Sequence, residues 1–240
     1  MLNRVTPLLW FVTLVSGFLV SLFLSWNLMA SQQYGYSFWY DWYDIAAHID
    51  KYGPQNRYIL GLEQLSRVEH ERLFNDIAVA IHQQGDGLEK IRFQTGPQSR
   101  PIALLRPPEV IHLRDVANLV DTFQLAGLMA TLIMLVVGGW LLFGNSRPGW
   151  RHQVGILAGL IVGCTLLVLV IGPKAVFYQM HIWMFPADHE WFFYYQDSLM
   201  TTLMKAPYIF GGIATVILAG GVLFFIGLLL MLRSLLAKRA

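Results

Sequence analysis

The chain has 240 residues, 55% of them hydrophobic, one cysteine, and 17 Lys and Arg against 15 Asp and Glu. A lone cysteine excludes an internal disulfide, and Cys164 lies inside an apolar run where a thiol meets no aqueous substrate, which excludes thiol catalysis as well. The small basic excess follows the topology described next and forms no patch, so there is no nucleic-acid footprint.

Four runs carry no charged residue: Leu8 to Ala30, Phe123 to Phe143, Val154 to Ile171 and Tyr208 to Leu232. Each approaches or exceeds the roughly 18 to 20 residues that cross hydrocarbon as a helix. The expected fold is therefore an all-α membrane protein with four transmembrane helices. Three short segments hold only basic charges: Arg4, then Arg147 and Arg151, then Arg233, Lys238 and Arg239. The positive-inside rule makes them cytoplasmic, together with both termini. The segments Ser31 to Thr122 and Gly172 to Pro207 then face outward and hold every Asp and Glu with the other 11 Lys and Arg.

The organisation expected from this is a cytoplasmic N-terminus with the first membrane helix (1–30), a mostly helical extracytoplasmic cap lying on the membrane (31–122), and two helices joined by a short inner turn (123–171). An outer loop (172–207) and a fourth helix with a basic cytoplasmic tail (208–240) complete it. The first run is long for a signal peptide, and Asn27-Leu28-Met29-Ala30 is a poor cleavage site, so it reads as an uncleaved anchor.

After the first run comes a crowd of aromatic residues, Tyr34, Tyr36, Phe38, Trp39, Tyr40, Trp42 and Tyr43, which reads as a headgroup-layer belt; the alternative is that some rings line an opening for lipid chains. A helix is expected within Leu60 to Gln84, where Leu73, Ile77 and Ile81 recur every four residues, and Gly85-Asp86-Gly87 ends it. A two-stranded element fits Lys90 to Thr95 and the breaker-rich stretch that follows. Pro107-Pro108-Glu109 suits a helix start, from which the pattern continues into the second membrane run. In the third run Gly155, Gly159 and Gly163 form a small-residue stripe compatible with close helix packing or a homodimer.

No membrane run holds an Asp, Glu, Lys, Arg or His, which argues against a proton-driven transporter. Chemistry is therefore sought at the outer boundary, in two histidine-bearing stretches. In Glu109-Val110-Ile111-His112-Leu113-Arg114-Asp115-Val116, His112 and Asp115 are three apart and share a helix face, so the carboxylate can orient the imidazole. In the second stretch His181 and Trp183 are followed by Phe185, Asp188, His189, Glu190, Trp191, Phe193 and Asp197. Taken alone, each histidine reads first as structural, and their shared side and depth favour catalytic use. His48, His70 and His82 read as solvated outer residues, and His152 as an inner-face one.

These two stretches resemble those of the bacterial lipoprotein intramolecular transacylases, the Lit family. Glu109, His112, Asp115 and Val116 reproduce a motif of acid, His and Asp-Val just before the second membrane helix, and His181, Phe185, Trp191, Phe193 and Asp197 are similar to a second one. Ala117 stands where a basic residue commonly follows, and Tyr194-Tyr195 where an Asp-Pro step is expected. The resemblance implies a cofactor-free acyltransferase in the bacterial cytoplasmic membrane, with its active site at the extracytoplasmic leaflet. Its substrate would be a diacylated lipoprotein embedded in membrane lipid. The sn-2 acyl chain of the diacylglyceryl cysteine would move to that cysteine's own α-amine.

On that reading His112 is the general base, oriented by Asp115, and His181 is the oxyanion donor or general acid, the two roles being exchangeable. Glu109, Trp183, Trp191 and Asp197 are the substrate-binding candidates. Two other classes remain in view: a metallohydrolase using His112, His181, Asp188, His189 and Glu190, although no His-x3-His spacing occurs, and a non-enzymatic lipid-binding or assembly protein.

Overall fold

The computed structural model describes residues 2–144 and 150–237. Arg147, Lys238 and Arg239, three of the basic residues used above to orient the chain, lie outside the described residues. In chain order the regular elements are α1 (Leu2–Ser31), α2 (Tyr36–Trp42), α3 (Ile45–Tyr52), α4 (Arg67–Ile81), β1 (Arg92–Phe93), β2 (Ile102–Ala103), α5 (Pro107–Phe143), α6 (Trp150–Ile171), α7 (Pro173–Met184), α8 (Leu199–Met204) and α9 (Tyr208–Ala237). Four of them, α1, α5, α6 and α9, are long and apolar enough to cross a membrane, so the architecture is the all-α, four-span one expected.

The chain divides into two compact units. The first comprises Met1–Asn27, Phe123–His181 and Ile217–Ala240. Its core joins Trp10 and Leu14 of α1, Leu141 of α5, Leu157 of α6 and Phe225 and Leu232 of α9. Hydroxyls along these apolar helices bond a carbonyl four residues back, as Thr13 does to Leu9, Ser21 to Gly17 and Thr131 to Gly127, which satisfies them without water. Gly172, at φ +95°, stops α6, and Pro173 opens α7.

The glycines at which helices of this unit approach closely are not those of the stripe. A Cβ added at Gly155, Gly159 or Gly163 meets nothing within 4 Å, whereas one at Gly127 would collide with the Phe23 ring of α1. Gly127→Val is therefore expected to destabilise the protein by about 1–3 kcal/mol through overpacking, and Gly159→Val to be near neutral. Thermal unfolding of the two purified variants checks the contrast, and equal melting temperatures would contradict it.

The second unit comprises Leu28–Thr122 and Ile182–Val216. Spacing splits the aromatic crowd. Tyr36, Trp39 and Tyr40, three and four apart on α2, are buried, while Phe38 and Trp42 on the opposite face are exposed and stack on each other. Tyr36 stacks on Phe74 at 4.1 Å and donates to the carbonyl of Leu203 at 2.7 Å, so these buried rings are core and not belt. The helix expected within Leu60 to Gln84 is α4, which starts only at Arg67 because Ser66 caps it, accepting from the Glu69 N–H. The two-stranded element is present, antiparallel, with Arg92 opposite Ala103 and Phe93 opposite Ile102.

His48 and His70 are not solvated, as the sequence suggested, but buried. The His70 ring bonds the Tyr40 hydroxyl through Nδ1 at 2.9 Å and the Leu62 carbonyl through Nε2 at 2.9 Å. A carbonyl only accepts, so Nε2 carries the proton and Nδ1 accepts from tyrosine. Burial, aided by Lys205 and Lys51, pushes His48 down to about 4 from its ordinary 6.5. A histidine kept neutral by the fold contributes stability that is fully present above about pH 6.5 and is lost as pH falls through about 4. The melting temperature is expected to drop across that window, and to drop less in His48→Phe; parallel curves would contradict this.

The helix α5 sets the position of the site. At about 1.5 Å per residue its 37 residues extend about 55 Å, well beyond the roughly 30 Å of a hydrocarbon core. The charge-free run from Phe123 to Phe143 is long enough to span, which leaves the preceding turns, from Pro107 to Thr122, for polar work.

Candidate active site

Those first turns of α5 carry acid, histidine and acid at intervals of three. Glu109 reaches back so that Oε2 accepts from the Arg106 N–H at 2.6 Å, the backward half of a capping box. Its Oε1 accepts from the Ser198 hydroxyl, and the Ser198 Oγ in turn accepts from the Thr201 N–H at 3.0 Å, capping α8. One carboxylate, with no solvent exposure, thus ties the first turn of α5 to that of α8. Its counter-charge is Arg106, whose Nε lies 3.5 Å from Oε2 and whose guanidinium stands 4.4 Å from the Tyr58 ring and 5.9 Å from the Phe193 ring.

One helical turn further on, His112 is 8% exposed. Phe185 packs edge-on to its ring at 5.0 Å, and Phe193 lies tilted against it at 6.0 Å. Pro186 prevents α7 from continuing past Met184, and a turn closed by the His189 N–H donating to the Pro186 carbonyl follows. That turn directs His189 back to α5, where its Nδ1 lies 2.6 Å from Asp115 Oδ2. A carboxylate only accepts here, so Nδ1 is the donor. This hydrogen bond holds the imidazole pKa above its ordinary value.

The structure therefore brings Glu109, His112 and Asp115 together with Arg106, Phe185, His189, Phe193 and Ser198 in the second unit. Among the binding candidates, Asp197 is held by Arg57 through Nε and Nη2 at 2.7 Å each, Trp191 is partly buried with Phe192 edge-on to it, and Trp183 is 77% exposed at the end of α7. His181 belongs to the first unit. Its Nδ1 donates to the Phe177 carbonyl at 2.8 Å and its ring rests on that of Phe177. Burial lowers its pKa, which favours the neutral ring.

The sequence singled out neither Arg106 nor Ser198, and weighed His189 only as a metal ligand. Among the described residues no group of three or more His, Cys, Asp or Glu side chains is placed to hold a metal ion. What the arrangement can do is proton chemistry: a histidine in an apolar ring cage stands on α5 one turn before the aspartate of an Asp–His pair.

The family model described as lipoprotein intramolecular transacylase Lit matches residues 11–208, which include every residue of this site. Among solved structures, the membrane-integral lipoprotein intramolecular transacylase Lit from Bacillus cereus superposes with a TM-score of 0.69 at 17% identity, covering 99% of this chain and 98% of that one. A histidine-to-alanine variant of the same protein matches with a TM-score of 0.69 at 18% identity, covering 99% and 96% of the two chains. A histidine-to-arginine variant gives 0.67 at 17%, covering 99% and 95%. At that identity the likeness is one of fold. No curated protein matches the chain in sequence.

Proposed function

This chain belongs to the lipoprotein intramolecular transacylase family and is a multi-pass membrane acyltransferase; from that premise we propose that it moves the sn-2 acyl chain of a diacylglyceryl-cysteine lipoprotein to that cysteine's own α-amine. The product is an N-acyl, lyso-form lipoprotein. The observation that carries this reading is the single cluster on the first turns of α5, where His112 sits in its phenylalanine cage one turn before the Asp115–His189 pair.

Aminolysis of an ester needs a neutral amine, whose free pKa is about 7.7 to 8.0, and somewhere for its proton to go. We assign that role to His112. The amine and ester belong to one molecule, so holding the lipid head in an attack geometry supplies much of the acceleration, and no serine or cysteine nucleophile is needed. Glu109, wholly buried among internal partners, acts as a positioning residue that fixes the turn on which His112 stands. His181 enters the proposal on its motif, as the second catalytic histidine. Trp183 and Trp191 shape the lipid slot, and the Arg57–Asp197 pair holds the loop that carries Phe193. The charge asymmetry of the sequence supports the cytoplasmic membrane as the location, with chemistry at the extracytoplasmic leaflet.

The transfer conserves mass, so the test is tandem mass spectrometry of lipoprotein N-termini from bacteria with and without this chain. The expected result is an unchanged parent mass whose fragments carry one acyl group on nitrogen only when the chain is present. Fragments with both acyl groups on glycerol in both strains would refute the transfer, and would favour a lipid-binding role.

A further inference from the structure

Aminolysis moves two protons, and the proposed function uses His112 for only one of them. As the tetrahedral intermediate collapses, the C–N bond has formed and the C–O bond to the glycerol breaks, leaving an alkoxide that needs a proton. A residue suited to that task must hold a proton near neutral pH, lie beside the base, and remain open enough to meet the substrate.

We infer that His189, oriented by Asp115, is the general acid that protonates the departing glycerol oxygen. This rests on the acyl-transfer reading above. Four geometric facts support it. The Nδ1–H donates to Asp115 Oδ2 at 2.6 Å, which fixes the ring and directs Nε2 away from the carboxylate. The two side chains are 33% and 16% exposed, so the pair is neither sealed in the core nor loose on the surface. Asp115 stands three residues after His112 on the same helix, so the carboxylate that holds His189 lies about one helical turn from the base. Phe185 and Phe193, which cage His112, lie four residues before and after His189 in its loop, so the same segment presents both.

The charges facing His189 are Asp115 from α5 and Asp188 from its own loop, and both act to keep the imidazole protonated. In the balanced step, the amine proton passes to His112 and the His189 Nε2 proton passes to the glycerol oxygen. The acyl carbon exchanges oxygen for nitrogen, and proton exchange with water then resets both rings. No metal, oxidant or second substrate takes part.

A merely structural Asp–His bridge would hold the loop against α5 without touching the reaction, and leaving-group chemistry separates the two roles. The full chain, purified and reconstituted in lipid bilayers, is given synthetic diacylglyceryl-cysteine peptides bearing at sn-2 either an oxygen ester or a thioester. A thiolate, with a conjugate-acid pKa of about 8.5, leaves without a proton, whereas an alkoxide, akin to hydroxide with its conjugate acid at about 15.7, does not. His189→Gln is expected to lower transfer from the oxygen ester by about 10²- to 10⁴-fold while largely sparing transfer from the thioester. Equal losses on both substrates, or no loss on either, would overturn the assignment.

Asp115→Asn supplies the second reading and nearly preserves the side-chain shape. Removing the carboxylate lowers the His189 pKa, so the alkaline limb of the pH profile of kcat/KM is expected to move to lower pH; a limb that stays in place would also overturn the assignment. If the unaltered chain N-acylates neither peptide, the acyl-transfer reading itself is refuted and this inference falls with it, a pattern distinct from the variant-specific outcomes.

Discussion

Replacing His112 with alanine is expected to reduce N-acyl transfer by about 10²- to 10⁴-fold, the range for loss of a positioned general base. The ring is 8% exposed and packed on Phe185 and Phe193, so alanine also leaves a cavity, and activity must be read against folding. His112→Gln fills more of that space while removing the titratable nitrogen, so a catalytic role predicts a comparable loss in both variants, with the glutamine variant melting closer to the unaltered protein. Transfer assayed on synthetic lipopeptide in bilayers, beside the melting temperature, separates the two effects. A well-folded His112→Gln chain with full activity would remove this histidine from the chemistry.

The largest effect on stability is expected at Glu109. Deleting its carboxylate in Glu109→Ala leaves Arg106 without its counter-charge and takes the acceptor from both the Ser198 hydroxyl and the Arg106 N–H. Breaking a buried ionic pair on one side costs about 3–5 kcal/mol. Glu109→Gln keeps the length and one accepting oxygen, so it should recover part of the loss. Ser198→Ala removes the cap of α8 and should cost about 0.5–2 kcal/mol. The double variant should be less destabilised than the two single losses added together, because the same contact is removed twice. Strict additivity would mean that the Glu109–Ser198 contact contributes nothing.

Helices that ignore tertiary context are legible in the sequence. A charge-free run spans because no alternative satisfies its backbone in hydrocarbon, and α5 follows from Pro107-Pro108-Glu109 leading into such a run. The interval of three linking Glu109, His112 and Asp115 was legible for the same reason, since a helix converts spacing into a shared face. Their partners were not, because Ser198 and His189 lie 89 and 74 residues away, in a loop whose path no local period encodes.

Residue type alone suggests a solvated His70, but with Leu73 and Ile77 it sits at intervals of three and four on the buried stripe of α4, where a histidine given two hydrogen-bond partners is a core residue. Helical spacing likewise divides Tyr36, Trp39 and Tyr40, which α2 buries, from Phe38 and Trp42, which it exposes.

Transfer within a single lipopeptide is measured most directly by isotopic crossover. Two diacylglyceryl-cysteine peptides, one labelled in both its sn-2 chain and its peptide and the other unlabelled, are mixed with the purified chain in one bilayer, and the N-acylated products are read by tandem mass spectrometry. Acyl migration to the cysteine's own amine predicts only doubly labelled and unlabelled N-acyl products; N-acyl peptides carrying a single label would show the acyl group passing between molecules and would contradict it.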